Sequence, residues 1–195
     1  MSYLKERILK DGVIFPNSVL KIDSFLNQQI DPKVMEEIGR EFYDHFKAEG
    51  VTKILTIEAS GIAPAIILAS HLGVPMLFAK KAKGAPLKGD EVYETKVHSY
   101  TKGTTSRVCV SKQYLKEKDR VLIIDDFLAN GEASLGLVDL VYQAGGQVVG
   151  VGICVEKSFQ PGRRRLEEAG IAVYSLVRIK EINSDSQEIL FEKGH

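Results

Sequence analysis

The stretch that most constrains this chain is VLIIDDFLANGEA, Val121 to Ala133. Four apolar residues in a row, Val121 to Ile124, offer no polar face to water, so they suit a parallel strand covered on both sides. Asp125 and Asp126 follow at the strand's C-terminal end, where open α/β sheets receive their ligands. Asn130-Gly131 supplies the backbone freedom of a tight turn, and from Glu132 onward the pattern is that of a helix start. Two carboxylates can accept hydrogen bonds from sugar hydroxyls or hold a metal through water. A turn at a helix N-terminus presents backbone N–H groups to a phosphate. Side by side, the two describe a sugar-phosphate site. A surface turn carrying solubility charge is the usual origin of an Asp-Asp pair. Here the flanking Ile123-Ile124 and Phe127-Leu128 argue against it.

The rest of the chain repeats the strand-then-helix rhythm. Residues 2–11 read as a short amphipathic helix. Asp31-Pro32 opens a second helix, with Asp31 as N-cap, Pro32 at the first helical position, and Met35, Ile38, Phe42 and Phe46 at helical spacing. A strand at 53–58, a turn at Ala59-Ser60-Gly61, a helix at 62–72 and a strand at 74–79 follow. The alternation resumes with strands at 120–126, 147–155 and 172–177 and helices at 132–144 and 162–169. Helices of about ten residues between strands point to βαβ units and a largely parallel sheet. Lys80 to Gly103 breaks the rhythm: it is rich in Lys and Gly, with strand-like alternation near 94–101 and a hairpin partner at 106–111. Such a segment is either a lid or a solvated surface loop.

Composition narrows the function classes. The 195 residues allow one domain with a sizeable core. Lys plus Arg equals Asp plus Glu, at 26 each, so no global field favours nucleic acid or membranes. No apolar run reaches membrane-spanning length, and the first residues carry no export signal. Cys109 and Cys154 lie in separate apolar runs without a second Cys nearby. They read as buried thiols in a reducing, cytoplasmic setting, not as a zinc site or a disulfide. His45, His71, His98 and His195 pair with no acid or Cys at ligand spacing, so each reads as structural or solvated.

VLIIDDFLANGEA resembles the phosphoribosyl-pyrophosphate (PRPP) signature of the type I phosphoribosyltransferases. The segments VLKIDSFLNQQIDP, TIEASGIAPA and EKSFQPGR extend the resemblance over nearly the whole chain, toward the family's xanthine-type members. It implies an α/β fold with a central, mostly parallel sheet flanked by helices. It also implies a single domain over 1–195, with a small N-terminal hood over about 1–35 and a flexible lid loop. The implied reaction is purine salvage, in which the phosphoribosyl group of PRPP passes to xanthine, giving xanthosine 5'-monophosphate and pyrophosphate. The rival readings are a guanine, hypoxanthine or adenine enzyme, or a regulator that senses PRPP or a nucleotide without catalysis.

The resemblance also distributes roles. Ala129, Asn130, Gly131, Glu132 and Ala133 form the 5-phosphate loop, in a version that lacks the hydroxyl side chains common in the family. Glu132 repels phosphate there unless it turns outward. Asp125 and Asp126 face the ribose and favour a cationic, oxocarbenium-like ring as pyrophosphate departs. Glu58-Ala59-Ser60-Gly61 resembles the pyrophosphate loop, so Ser60 and Gly61 join the PRPP residues, with Lys80 and Lys81 as neighbouring cations. Ser99 and Tyr100, with Lys102 beside them, resemble the closing loop. For the base, Lys157 is donor-only and suits a carbonyl, which favours a 6-oxopurine over adenine. Leu20 and Asn27 resemble the hood residues. Asn27 can donate to the 2-oxo group of xanthine or accept from the 2-amino group of guanine, and Phe127 either stacks on the purine or packs in the core. Mg²⁺ is expected to arrive with PRPP and not on a direct protein site. No organic cofactor is implied, and family members are commonly homodimers.

Overall fold

The computed structural model describes residues 2–81, 91–99 and 103–193. Helix α1 (Tyr3–Asp11) starts at a Ser2 cap, and α2 (Pro32–Phe46) starts where the Asp-Pro pair predicts. Asp31 Oδ1 accepts from the amides of Lys33 and Val34, at 2.9 and 3.4 Å, satisfying donors that have no partner within the helix. Its other oxygen takes Arg7 Nη1 of α1 at 2.7 Å, which ties the two helices together. Between them lie a short antiparallel hairpin, β1 (Val13–Phe15) and β2 (Val19–Lys21), and one wide helical turn at Asp23–Asn27. Sequence periodicity gives no sign of these pieces, because three-residue strands are too short to show one.

The remaining elements run β3 (Lys53–Ile57), α3 (Ile62–Leu72), β4 (Met76–Lys81), β5 (Val92–Ser99), β6 (Thr104–Ser111) and β7 (Arg120–Leu128). They continue with α4 (Glu132–Gln143), β8 (Gln147–Lys157), α5 (Gly162–Glu168), β9 (Val173–Asn183) and β10 (Glu188–Phe191). One eight-stranded sheet has the order β10-β9-β8-β7-β3-β4-β6-β5. The five strands from β9 to β4 are mutually parallel; β10 and the β5–β6 hairpin join antiparallel at the two margins. The expected mostly parallel sheet is therefore present. The hairpin expected in the Lys- and Gly-rich segment is present too, starting two residues earlier on both strands. Residues 82–90 and 100–102 of that segment lie outside the described residues.

Each face of the sheet carries its own core. Leu122 and Ile124 of β7 pack with α1, α2 and α3 on one side. Val121 and Ile123 pack with α4 and α5 on the other. This two-sided burial is what the unbroken apolar run demands. The hairpin β1–β2 is anchored at the far end of β9: Ser18 Oγ donates to Ile182 O and Ser184 Oγ donates to Phe15 O, both at 3.1 Å. Both cysteines are buried and unpaired. Among the described residues no helix is long and apolar enough to cross a membrane.

Asp31→Ala removes an acceptor for two helix amides and the partner of Arg7 together. The expected outcome is a lower denaturant midpoint with an unchanged slope.

Candidate functional site

Strand β3 hands the chain to α3 on one face and β7 hands it to α4 on the other, so the two adjacent strands part at their C-terminal ends. Such a switch point leaves a crevice that neither helix fills. A cavity of about 390 Å³ occupies it. Its walls come from the end of β3 (Ile57, Glu58, Ser60), the end of β7 with the loop into α4 (Asp125 to Ser134), and Lys81 of β4. The β5–β6 hairpin forms the remaining side through Val97, His98, Thr104, Ser106 and Val108. Val97 leans on α4 at Gly136, where any side chain would collide with it.

Asp125 is 4% exposed. Burial, reinforced by the neighbouring Asp126, pushes its carboxyl well above the ordinary carboxylate range. Asp126 stands half-exposed beside it, its amide donating to Asp125 Oδ1 at 3.0 Å. Gly61 packs directly beneath this pair. A Cβ there would lie 2.2 Å from Thr56 Oγ1 and 3.1 Å from Asp125 Oδ1, so no larger residue fits the turn. Glu58 Oε1 accepts the Lys81 amide at 2.8 Å, which fixes β4 against the turn.

The loop 129–133 has several of its acceptors taken up by neighbouring residues of α5. Ala129 O takes the Gly162 amide at 2.9 Å, and Asn130 O takes Arg165 Nη1 at 2.6 Å. The Glu132 carboxylate pairs with the same Arg165. Gly131 sits at φ +82 and abuts Gly162, two reasons for glycine at that position. None of the amides of Asn130 to Ala133 donates to a protein acceptor among the described residues. Free amides beside two acids can hold a phosphate and hydroxyls of one ligand.

The other sequence candidates fall into two groups. Phe127 lines the cavity and also packs against the core. Lys81 lines the cavity, whereas Lys80 does not. Alternate residues of a strand face opposite sides, and Lys80 Nζ stands 5.5 Å over the Phe78 ring instead. Lys157, at the end of β8, donates to Ser18 O of the β1–β2 hairpin at 3.2 Å, and burial lowers its pKa. Leu20 is buried in the core on that hairpin, and Asn27 Oδ1 is buried with no partner among the described residues. These three lie outside the cavity wall. Ser99 ends β5, and Tyr100 and Lys102 lie outside the described residues.

Sequence reasoning missed His98 as a cavity residue and Arg165 as the partner of Glu132. His98 was readable only from the hairpin's register. Arg165 lies just beyond EKSFQPGR, where three consecutive arginines hide which one turns inward.

A carboxyl whose folded pKa exceeds its unfolded one favours folding while protonated and costs stability as pH rises through the folded value. Asp125→Asn is therefore expected to raise Tm at neutral pH, by about 2–4 °C for each kcal/mol relieved. The gain disappears below the unfolded carboxylate range. Scanning calorimetry from about pH 4 to 8 reads it.

The chain matches the phosphoribosyl transferase domain family over residues 24–186. It is 55% identical over 193 residues to xanthine phosphoribosyltransferase of Staphylococcus aureus strain JH9, covering 99% of this chain and 100% of the relative. The protein of that name from strain MRSA252 matches with the same identity and coverage. Among solved structures, adenine phosphoribosyltransferase from Thermoanaerobacter pseudethanolicus superposes with a TM-score of 0.74 at 23% identity, over 90% of this chain and 99% of that one. The Giardia lamblia enzyme complexed with 9-deazaadenine gives 0.75 at 22% identity, over 91% and 98%. At those identities the two structures speak for the fold, which is that of the type I phosphoribosyltransferases. By sequence and by fold, the chain belongs to the phosphoribosyltransferase family.

Proposed function

We propose that this chain transfers the 5-phosphoribosyl group of PRPP to xanthine, giving xanthosine 5'-monophosphate and pyrophosphate, as a cytoplasmic homodimer in purine salvage. The observation that carries the reading is a single cavity lined by both strand-end acids and a loop of free amides. Full-length similarity to the staphylococcal xanthine enzymes supports the choice of base.

The 5-phosphate of PRPP sits against the amides of Asn130 to Ala133, at the positive end of α4. Asp125 and Asp126 face the ribose hydroxyls, and a carboxylate there favours the cationic ring as pyrophosphate leaves. The leaving group meets the Ser60-Gly61 turn, with Lys81 opposite. Phe127 covers one face of the purine, and Lys157 of β8 reads it together with Leu20 and Asn27 of the hood, which spans about 1–35 of one domain over 1–195. A buried ammonium that donates only is matched by a purine carbonyl. The orphaned Asn27 oxygen or its amide nitrogen then reads the substituent at position 2. Ser99 and Tyr100 close over PRPP and exclude water from the activated ribose.

Among the described residues no three His, Cys, Asp or Glu side chains converge to hold a metal. In this reading Mg²⁺ arrives with PRPP, keeping most of its waters and binding through substrate oxygens and one or two carboxylates. Asp126, half-exposed at the cavity wall, would accept from the ion's water shell. When bound, the ion supplies neutralisation of charge on the departing pyrophosphate.

Pyrophosphate release with PRPP and Mg²⁺, offering xanthine, guanine, hypoxanthine and adenine in turn, is expected to be fastest with xanthine. Silence with every base overturns the reading. Lys157→Gln is expected to raise KM for xanthine about ten- to a hundredfold, the worth of one hydrogen bond to a charged group.

A further inference from the structure

We infer that Arg165 is a positioning residue for phosphate recognition, holding the Glu132 carboxylate and the Asn130 carbonyl away from the 5-phosphate. The inference rests on the reading of loop 129–133 as a phosphate seat. Glu132 is the first residue of α4, at the wall of the cavity. A carboxylate at that place repels a phosphate dianion unless something turns and neutralises it. Arg165 Nη1 donates to both Glu132 Oε1 and Asn130 O.

The rest of the support comes from the same short helix. The Gly162 amide holds Ala129 O at 2.9 Å, and the Gly162 backbone lies against Gly131. Carbonyls at 129 and 130 and the carboxylate at 132 are thus tied to α5 on the outer side. The amides of 130–133 are left without a protein acceptor among the described residues. A loop with free carbonyls has no such bias, because each peptide plane can turn either pole toward the ligand.

Helix α5 is itself fixed. Arg163 clamps Glu156 of β8 through Nη2 at 2.7 Å and Nε at 2.9 Å. Glu156 is 1% exposed and immediately precedes Lys157. Helix α5 therefore joins the phosphate loop to the strand end that carries the base-reading lysine. The side chains of Arg165 and Glu132 are 34% and 23% exposed, so the effect of breaking their pair is moderated by solvent.

The test is steady-state kinetics with xanthine and Mg²⁺-PRPP, together with calorimetric binding of Mg²⁺-PRPP, on wild type, Arg165→Gln, Arg165→Gln with Glu132→Gln, and Arg165→Lys. Arg165→Gln is expected to raise KM for PRPP about tenfold with KM for xanthine unchanged. Adding Glu132→Gln is expected to restore most of that loss, because it removes the charge that Arg165 had neutralised. Arg165→Lys keeps the charge but not the forked reach, and is expected to fall between. If Arg165→Gln fails to fold, Arg165→Lys with and without Glu132→Gln makes the same comparison. A double variant no better than Arg165→Gln overturns the inference, as does an Arg165→Gln protein that binds PRPP like wild type. A wild type that neither binds nor uses PRPP overturns the functional reading and this inference with it.

Discussion

The site depends on the parting of two neighbouring strands. β3 and β7 are hydrogen-bonded in parallel register, yet the helices that follow them lie on opposite faces of the sheet. The ends of β3 and β7 are consequently a place where backbone amides, carboxylates and a void meet without any local sequence having to create them. The apolar run Val121 to Ile124 is needed to seat β7 in the middle of the sheet. Once it is there, Asp125 is carried into burial whether or not that suits a carboxylate. The fold thus imposes a cost on Asp125, and the proposed chemistry is the reason for tolerating it.

Elsewhere the same molecule buries charge with full compensation. Burial alone lifts the Glu156 carboxyl, yet hydrogen bonds from Arg163 and Ser175 outweigh it and bring the pKa down to about 2 from 4.5. Arg178 and Ser158 complete the ring around that carboxylate. The contrast between Glu156 and Asp125 is informative. One buried acid is surrounded by donors and serves architecture; the other has an acid for a neighbour and faces a cavity. Environments that push two carboxylates in opposite directions set the cavity acid apart from the architectural one.

Much of this was legible in the sequence because it follows from short-range rules. Asp31-Pro32 announces α2, the apolar run gives β7, and the helix after the turn at 59–61 was placed to the residue. What escaped lacks a period or depends on distant register. The β1–β2 hairpin and the turn at Asp23–Asn27 are too short to alternate, and β10 pairs across a bulge at the chain's far end. The difference between Lys80 and Lys81 is one step of the pleat, decided by where β4 meets β6. His98 reaches the cavity only because eight consecutive pairs lay β5 along β6. For Arg165, spacing identifies a helix but not which of three arginines faces the loop before it.

The β5–β6 hairpin forms one side of the cavity, and it is also a margin of the sheet. Parallel strands left open at an edge present a row of unpaired amides and carbonyls to any passing chain. Here the short, bulged β10 closes one margin and β5 forms the other, carrying Glu94, Lys96 and His98 along its length. The strand that walls the cavity is therefore the strand that guards the fold against edge-to-edge growth. Its sequence answers to colloidal behaviour as well as to catalysis, and a more apolar cover, whatever it did for substrate retention, would turn this margin into a template for self-association.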